Sequence, residues 1–258
     1  MTRPSPFLRA RTGRVSVVAH RGLSATEPEN TMRAFRAAAA AGCDLIELDV
    51  HLTRDAELVV IHDESLERTT DGTGLVRERT LAELRGLDAG RGERIPTLDE
   101  VAAWARAERV TLSVEIKQPA PVSGAPPYDR IAERVVDLLG GHDLLRGALV
   151  HSFDHPTVRR LRELAPDLAT AVSYGGGTFV EPLSLGRAAG VSGIHPWWAW
   201  ASPALAEAAH AEGIHVHAWG LAEPHDEAAV AALVRAGVDS LDAADPRALR
   251  ALLATLGA

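Results

Sequence analysis

Glu47 and Asp49 lie two residues apart in Leu45-Ile46-Glu47-Leu48-Asp49-Val50, and Glu115 stands two before Lys117 in Val114-Glu115-Ile116-Lys117. In an extended chain, residues at this spacing point to the same side. Three carboxylates converging from neighbouring strands cannot all stay ionised without a cation. An all-oxygen donor set selects a hard divalent ion, Mg2+ or Ca2+, over Zn2+. The competing arrangement is a buried ion-pair network in which Arg21 and Lys117 neutralise the acids. Lys117 is the only lysine among 27 basic residues, and a compact ammonium is not interchangeable with a planar guanidinium.

Two histidines are placed to work beside these acids. His20 ends the run Val17-Val18-Ala19-His20-Arg21-Gly22. His62 follows a segment that reads as a strand returning through a turn centred on Asp55-Ala56. A two-residue loop pairs Arg54 with Glu57 and, counting back, Asp49 with His62. Two imidazoles flanking a metal-bound group can serve as acid and base near neutral pH. Arginine and lysine in a site that already holds a cation imply a dianionic or phosphoryl ligand. Around this centre, Glu29 hangs over the same mouth, while Asn30 and Thr31 read as helix-start residues with Asn30 the N-cap. His51 and His217 are expected at the rim. Trp197, Trp198, Trp200 and Trp219 lie near strand ends and suggest a platform for an apolar or polyol leaving group.

The elements that must position these residues alternate from end to end. Strands are expected near 15–19, 45–50, 111–116, 148–152, 170–174, 192–195, 214–219 and 238–242. Helices are expected near 30–41, 97–108, 128–140, 155–164, 181–189, 202–212, 225–236 and 246–256. Eight βα units in 258 residues suit an α/β fold of the closed (βα)8, or TIM, barrel type, which places its site at the carboxyl ends of the strands. Gly42, Gly190, Gly213 and Gly237 fall just past helices, and Ser202-Pro203 and Asp245-Pro246 read as N-cap and N1 pairs. Asp239 and Asp242 are out of keeping with a buried parallel strand, which makes the eighth strand the least regular. The chain reads as a single domain, 1–258, with a β-hairpin excursion after strand 2 and a polar insertion, 63–96, expected to act as a lid.

Composition narrows the function classes. With 46% hydrophobic and 24% charged residues the chain is an ordinary globular one, and a net charge of -8 gives no basic footprint for nucleic acid. Cys43, the only cysteine, cannot form an internal disulfide. The first fourteen residues carry four arginines without an apolar run, unlike a secretory signal, and Ala188–Ala206 is broken by Gly190, Gly193, Pro196 and Pro203. A cytoplasmic protein without stable membrane insertion, acting on a small-molecule phosphodiester, is expected; its oligomeric state is left open.

The motifs Ala19-His20-Arg21-Gly22, Pro28-Glu29-Asn30-Thr31, Ile46-Glu47-Leu48-Asp49-Val50, His62-Asp63, Arg68-Thr69-Thr70-Asp71-Gly72-Thr73-Gly74, Ile95-Pro96-Thr97-Leu98, Val114-Glu115-Ile116-Lys117, Ser152-Phe153 and Trp219 resemble, in this order, the glycerophosphodiester phosphodiesterase family of barrel enzymes. The resemblance implies a divalent-metal hydrolase that cleaves glycerophosphodiesters to an alcohol and glycerol 3-phosphate. It implies Glu47, Asp49 and Glu115 as metal ligands, His20 and His62 as the acid/base pair, and Arg21 and Lys117 as phosphate contacts, with Trp219 on the substrate side. The chain departs from the family where Trp219-Gly220-Leu221-Ala222 and Ala243-Ala244 replace polar residues. Two alternatives use the same site: hydrolysis of lysophospholipids against a tryptophan wall, and catalytically silent headgroup binding. The retained histidines and acids argue against silent binding. An amidohydrolase barrel lacks support because strand 1 has no His-x-His pair.

Overall fold

The computed structural model describes residues 4–119, 121–175, 181 and 183–258. Short runs of Val, Ile, Leu and Ala give the strands β1 (Ser16–Ala19), β2 (Leu45–Leu52), β3 (Leu58–Val60), β4 (Leu112–Ile116) and β5 (Ala148–Ser152). They continue as β6 (Ala169–Tyr174), β7 (Gly193–Pro196), β8 (His215–Ala218) and β9 (Ser240–Ala243). All but β3 pair in parallel, and β1 bonds to both β2 and β9, so eight strands close into a barrel. The (βα)8 architecture read from the sequence is therefore the fold. Helices α1 (Arg9–Thr12), α2 (Met32–Ala40), α3 (Leu81–Leu84), α4 (Leu98–Glu108) and α5 (Ile131–Gly141) are followed by α6 (His155–Leu164), α7 (Ser184–Ala189), α8 (Pro203–Ala211), α9 (Glu227–Ala236) and α10 (Pro246–Thr255). The expected helix 181–189 includes Pro182, which lies outside the described residues. No helix among the described residues is long and apolar enough to cross a membrane.

Side-chain alternation along the strands separates packing from chemistry. Ile46, Leu48 and Val50 of β2, Val114 and Ile116 of β4 and Val150 of β5 share one cluster with the apolar faces of α2, α4 and α5. Val172, Ile194, Val216 and Leu241 do the same on the other half. The intervening residues face the barrel axis. At the amino-terminal end these are Val18, Leu45, Leu149, Ala169 and Ala171, with Phe7 packed against them as a plug. At the carboxyl end the axis-facing positions are polar. Gly193 is required here, because a Cβ on it would lie 2.0 Å from the His215 ring.

Local signals set the helix ends as expected at Ser202 and Asp245, which cap α8 and α10 ahead of a proline, and at Gly190 and Gly237 in left-handed conformation. Asp239 is explained by its partners: it accepts from the backbone N–H of Arg9 at 2.6 Å and Val216 at 2.7 Å, and pairs with His210 Nε2 at 2.9 Å. A buried acid is satisfied there by three donors.

The hairpin excursion exists, but its register differs from the expected one. Val50 pairs with Val60 and Leu52 with Leu58, so Thr53 faces Glu57 and Asp49 faces Ile61, not His62. The loop has three residues because Ala56 adopts φ +64° and Thr53 Oγ1 bridges Asp55 Oδ1 and the Glu57 N–H. The insertion has a core of its own. Leu66, Val76, Leu84, Ala89 and Ile95 form their own buried cluster with Val59 and Ile61, and α3 is closed by a capping box from Thr80 and Glu83.

Candidate active site

The carboxyl ends of the strands surround a cavity of about 360 Å³. His20, Arg21, Glu47, His62, Glu115 and Lys117 line it, so residues spread over nearly a hundred positions meet at one mouth. Asp49 lies just behind them, 1% exposed. The turn after β1 is built for closeness. A Cβ on Gly22, at φ +82°, would lie 2.7 Å from the Ala34 carbonyl carbon, and Arg21 itself takes φ +57°. Left-handed non-glycine residues are a cost that surrounding contacts must hold in place. Here the Arg21 N–H donates to Glu47 Oε2 at 2.9 Å.

The acids are not equivalent. Burial, then the nearby Asp49 and Glu115 charges, push the Glu47 carboxyl well above its usual range. Burial and Asp49 likewise raise Glu115 to about 7, against the opposing pull of Lys117. Burial would raise Asp49 too, but Lys117 and Arg21 outweigh it and hold this carboxyl ionised. Lys117 Nζ lies 3.0 Å from Asp49 Oδ1 and 2.5 Å from Glu115 Oε1, and Arg21 Nε lies 3.4 Å from Asp49 Oδ2. Those two acids outweigh the desolvation of Lys117 and keep its ammonium charged. Three acids facing two cations leave a carboxylate group in excess, the electrostatic setting that a bound cation relieves. Glu47, Glu115 and His151 each offer a donor atom, and all three atoms lie within 4.8 Å of one another. A metal can therefore be held at this point of the barrel.

His20 is half-buried, and desolvation followed by the Arg21 charge lowers its pKa to about 4. Burial also lowers His62, with the Asp49 charge opposing. His62 Nδ1 lies 2.6 Å from Asp63 Oδ1. Asp63 is held near 2, first by its hydrogen bond from Arg68. An ionised carboxylate only accepts, so His62 Nδ1 carries the proton and Nε2 keeps a free lone pair. Arg68 bridges Asp63 to Glu29, donating to Oδ2 at 2.5 Å and to both Glu29 oxygens at 2.8 Å. Glu29 in turn accepts from Arg21 Nη1 at 3.0 Å. The insertion thus orients His62 and ties it to the β1 turn.

Several expected roles change. Asn30 is not the N-cap: Thr31 caps α2, accepting from the Ala34 N–H. Asn30, at φ +57°, instead donates from Nδ2 to Asp49 Oδ2 at 2.8 Å. His51 is no rim residue but is 1% exposed, its Nε2 3.0 Å from the His62 carbonyl and its Nδ1 3.0 Å from the Tyr128 hydroxyl. His217 lines the cavity but is buried, with Nδ1 2.9 Å from Ser240 Oγ. Of the four tryptophans, Trp219 alone among the described residues lines the cavity. Its Nε1 donates to the His195 carbonyl at 3.0 Å, and its ring meets Phe153 edge to face at 5.3 Å. Trp198 packs into the helical layer, and Trp200 is exposed.

Sequence reasoning missed three cavity or support residues. His151 was visible as a strand-end histidine, and aligning β4 with β5 by their fourth residues would have set it beside Glu115. Asp63 was within the His62-Asp63 motif. Asp242 of β9, separated from the acids of β2 by β1, lines the cavity, and burial pushes its carboxyl up to about 7. It lies one residue before the Ala243-Ala244 pair that departs from the family pattern, and it accepts from the Gly220 N–H at 3.3 Å.

Comparison with known proteins bears on this site. The model of the glycerophosphoryl diester phosphodiesterase family matches residues 20–245. A glycerophosphodiester phosphodiesterase of Caldanaerobacter subterraneus subsp. tengcongensis is 36% identical over 240 residues, which cover 90% of this chain and 95% of that protein. A phosphodiesterase of Oleispira antarctica, solved in complex with the product sn-glycerol-3-phosphate, superposes with a TM-score of 0.82 at 28% identity, covering 95% of this chain and 99% of that one. A structure from Silicibacter pomeroyi, described as a putative glycerophosphoryl diester phosphodiesterase, gives a TM-score of 0.83 at 25% identity over 95% and 94% of the two chains.

Proposed function

The chain belongs to the glycerophosphoryl diester phosphodiesterase family and is a phosphoric diester hydrolase; from that premise we propose that it hydrolyses glycerophosphodiesters to an alcohol and glycerol 3-phosphate with a divalent cation and the pair His20 and His62. The observation that carries this reading is the meeting of two histidines, two cations and two acids on one cavity, with Asp49 behind them. A hard divalent ion, Mg2+ or Ca2+, would be held by Glu47, Asp49 and Glu115. The raised carboxyls of Glu47 and Glu115 are the reason the site fits a cation. When bound, such an ion neutralises charge on the phosphoryl oxygens.

The protein's own groups do the rest. Arg21 and Lys117 seat the phosphate from two sides as fixed positive charges. His62, with Nδ1–H committed to Asp63, accepts a proton at Nε2 from the water whose oxygen bonds to phosphorus as the bond to the alcohol oxygen breaks. His20 gives a proton to the departing alcohol oxygen. Its low pKa arises from burial and from Arg21, and the incoming phosphate charge offsets Arg21, which raises His20 toward the range an acid needs. Trp219 and Phe153 line the same cavity and would flank the departing alcohol.

Phosphorus NMR of the products from glycerophosphocholine, glycerophosphoethanolamine and an acylated lysophospholipid, each with Mg2+, Ca2+ or chelator, tests the reading. Glycerol 3-phosphate from the deacylated diesters, dependent on metal, is expected. His20→Gln and His62→Gln should each lose about 10²–10⁴ in turnover. Failure of every deacylated diester with both cations would overturn it, and turnover of the lysophospholipid alone would move the substrate class.

A further inference from the structure

We propose that His151 is a nitrogen ligand to the divalent cation, sharing it with Glu47 and Glu115, and that this donor makes the site prefer Mn2+ over Ca2+ by more than carboxylates alone would give. The inference rests on the cation reading above and deepens it by fixing a ligand and an ion class.

Register places the donor. β4 and β5 are adjacent parallel strands in which Glu115 pairs directly with His151, so their Cβ atoms leave the sheet on the same side about 4.8 Å apart. Glu47, from β2 on the far side of β4, completes the group, and one donor atom from each lies within 4.8 Å of the other two. All three side chains are buried, with His151 only 6% exposed.

The imidazole is held ready for this role. Its Nδ1 lies 3.0 Å from Ser173 Oγ on β6; with Nδ1–H donated to that hydroxyl, Nε2 keeps its lone pair. The His195 ring, 4.7 Å away between centroids, packs against it and limits its rotation. Asp49, in contrast, has its oxygens turned toward Lys117, Arg21 and the Asn30 amide. Asp49 thus reaches a cation only in competition with Lys117 and Arg21, whereas His151 beside Glu115 bonds, among the described residues, through Nδ1, which leaves Nε2 to join the carboxylates at the ion.

Donor chemistry then sets the ion. Calcium collects six to eight oxygens in an open shell, whereas imidazole suits first-row transition ions, with affinity rising from Mn2+ onward. A mixed carboxylate and imidazole set therefore discriminates against Ca2+.

Pulsed electron paramagnetic resonance of the full-length protein with Mn2+ reads the ligand directly, because a bound imidazole nitrogen modulates the spin echo. Nitrogen coupling is expected in the wild type and in His20→Gln, and is expected to vanish in His151→Gln. Calorimetry should show Mn2+ affinity falling by about 10–100-fold in His151→Gln, with Ca2+ affinity almost unchanged because glutamine still offers an oxygen. Ser173→Ala should weaken Mn2+ in the same direction, by loss of the hydrogen bond that fixes the ring. Should His151→Gln not fold, the wild type labelled with 15N-histidine and loaded with 113Cd2+ decides: one-bond splitting of the His151 Nε2 resonance supports the proposal, and its absence overturns it. Bound Mn2+ without nitrogen coupling, or with coupling that persists in His151→Gln, overturns the proposal and leaves the cation reading standing. A wild type that binds neither Mn2+ nor Ca2+ overturns both.

Discussion

Replacing Asn30 by glycine separates two roles that the same residue can play at the start of a helix. If Asn30 were the cap of α2, glycine would cost only a few tenths of a kcal/mol, since glycine is itself an acceptable cap. The observed role is different. Asn30 Nδ2 donates to Asp49 Oδ2 at 2.8 Å, and Asp49 is a buried carboxylate held in its ionised form. A hydrogen bond to a charged group contributes about 1.5–3 kcal/mol. Glycine accepts φ +57° without strain but adds about 0.4–1 kcal/mol of unfolded-state entropy. Asn30→Gly should therefore lose about 2–4 kcal/mol. Asn30→Ala replaces that entropy with a left-handed penalty of roughly 1–2 kcal/mol and should fall slightly further. Urea unfolding at pH 7 measures both, and the matching drop in melting temperature is about 5–15 °C for Asn30→Gly. Turnover should fall as well, because Asp49 loses the group that orients it against Lys117. A loss below about 1 kcal/mol for Asn30→Gly would refute the argument and return Asn30 to helix capping.

Asp63→Asn removes the acceptor that fixes the His62 tautomer and should cost about 10²–10⁴ in kcat; the His62→Gln, Asp63→Asn double variant should be no worse than His62→Gln alone, and additive losses in steady-state kinetics would show that the two act separately. Lys117→Arg preserves charge but cannot set a point charge between Asp49 and Glu115, so about a 10²-fold loss of turnover is expected. Near-normal rates under saturating metal would assign the phosphate contact to Arg21 alone. Asp242 has a folded-state pKa of about 7, above its unfolded value of 3.8, so the native state binds more protons and the wild type loses stability as pH rises from about 4 to about 7. Asp242→Asn lacks that loss: its stability relative to the wild type should grow across this window in urea titrations and level off above it, whereas a difference independent of pH would contradict the raised carboxyl.

The sequence by itself determined the barrel and most of the polar residues that meet at its mouth. Alternation along each strand sends Ile46, Leu48 and Val50 to the helices and Glu47 to the axis, because a two-residue repeat needs no knowledge of neighbours. Capping residues and prolines fixed helix starts for the same reason, since a cap is satisfied within its own turn. What depended on contacts between distant segments was decided only in three dimensions. The β2–β3 register turned on a left-handed Ala56 and a Thr53 side chain, and a one-residue change in loop length moves every cross-strand pair. Asn30 left the helix cap because Thr31 could replace it there, and its Nδ2 donates instead to Asp49 Oδ2, the oxygen that Arg21 Nε also approaches. His151 joined Glu115 through the pairing of β4 with β5, and Asp239 became tolerable once Arg9, Val216 and His210 surrounded it. Spacing along a strand is a local quantity; which polar groups meet across a closed barrel follows from how eight strands register around it, and burial then makes every unpartnered group costly enough to settle the arrangement.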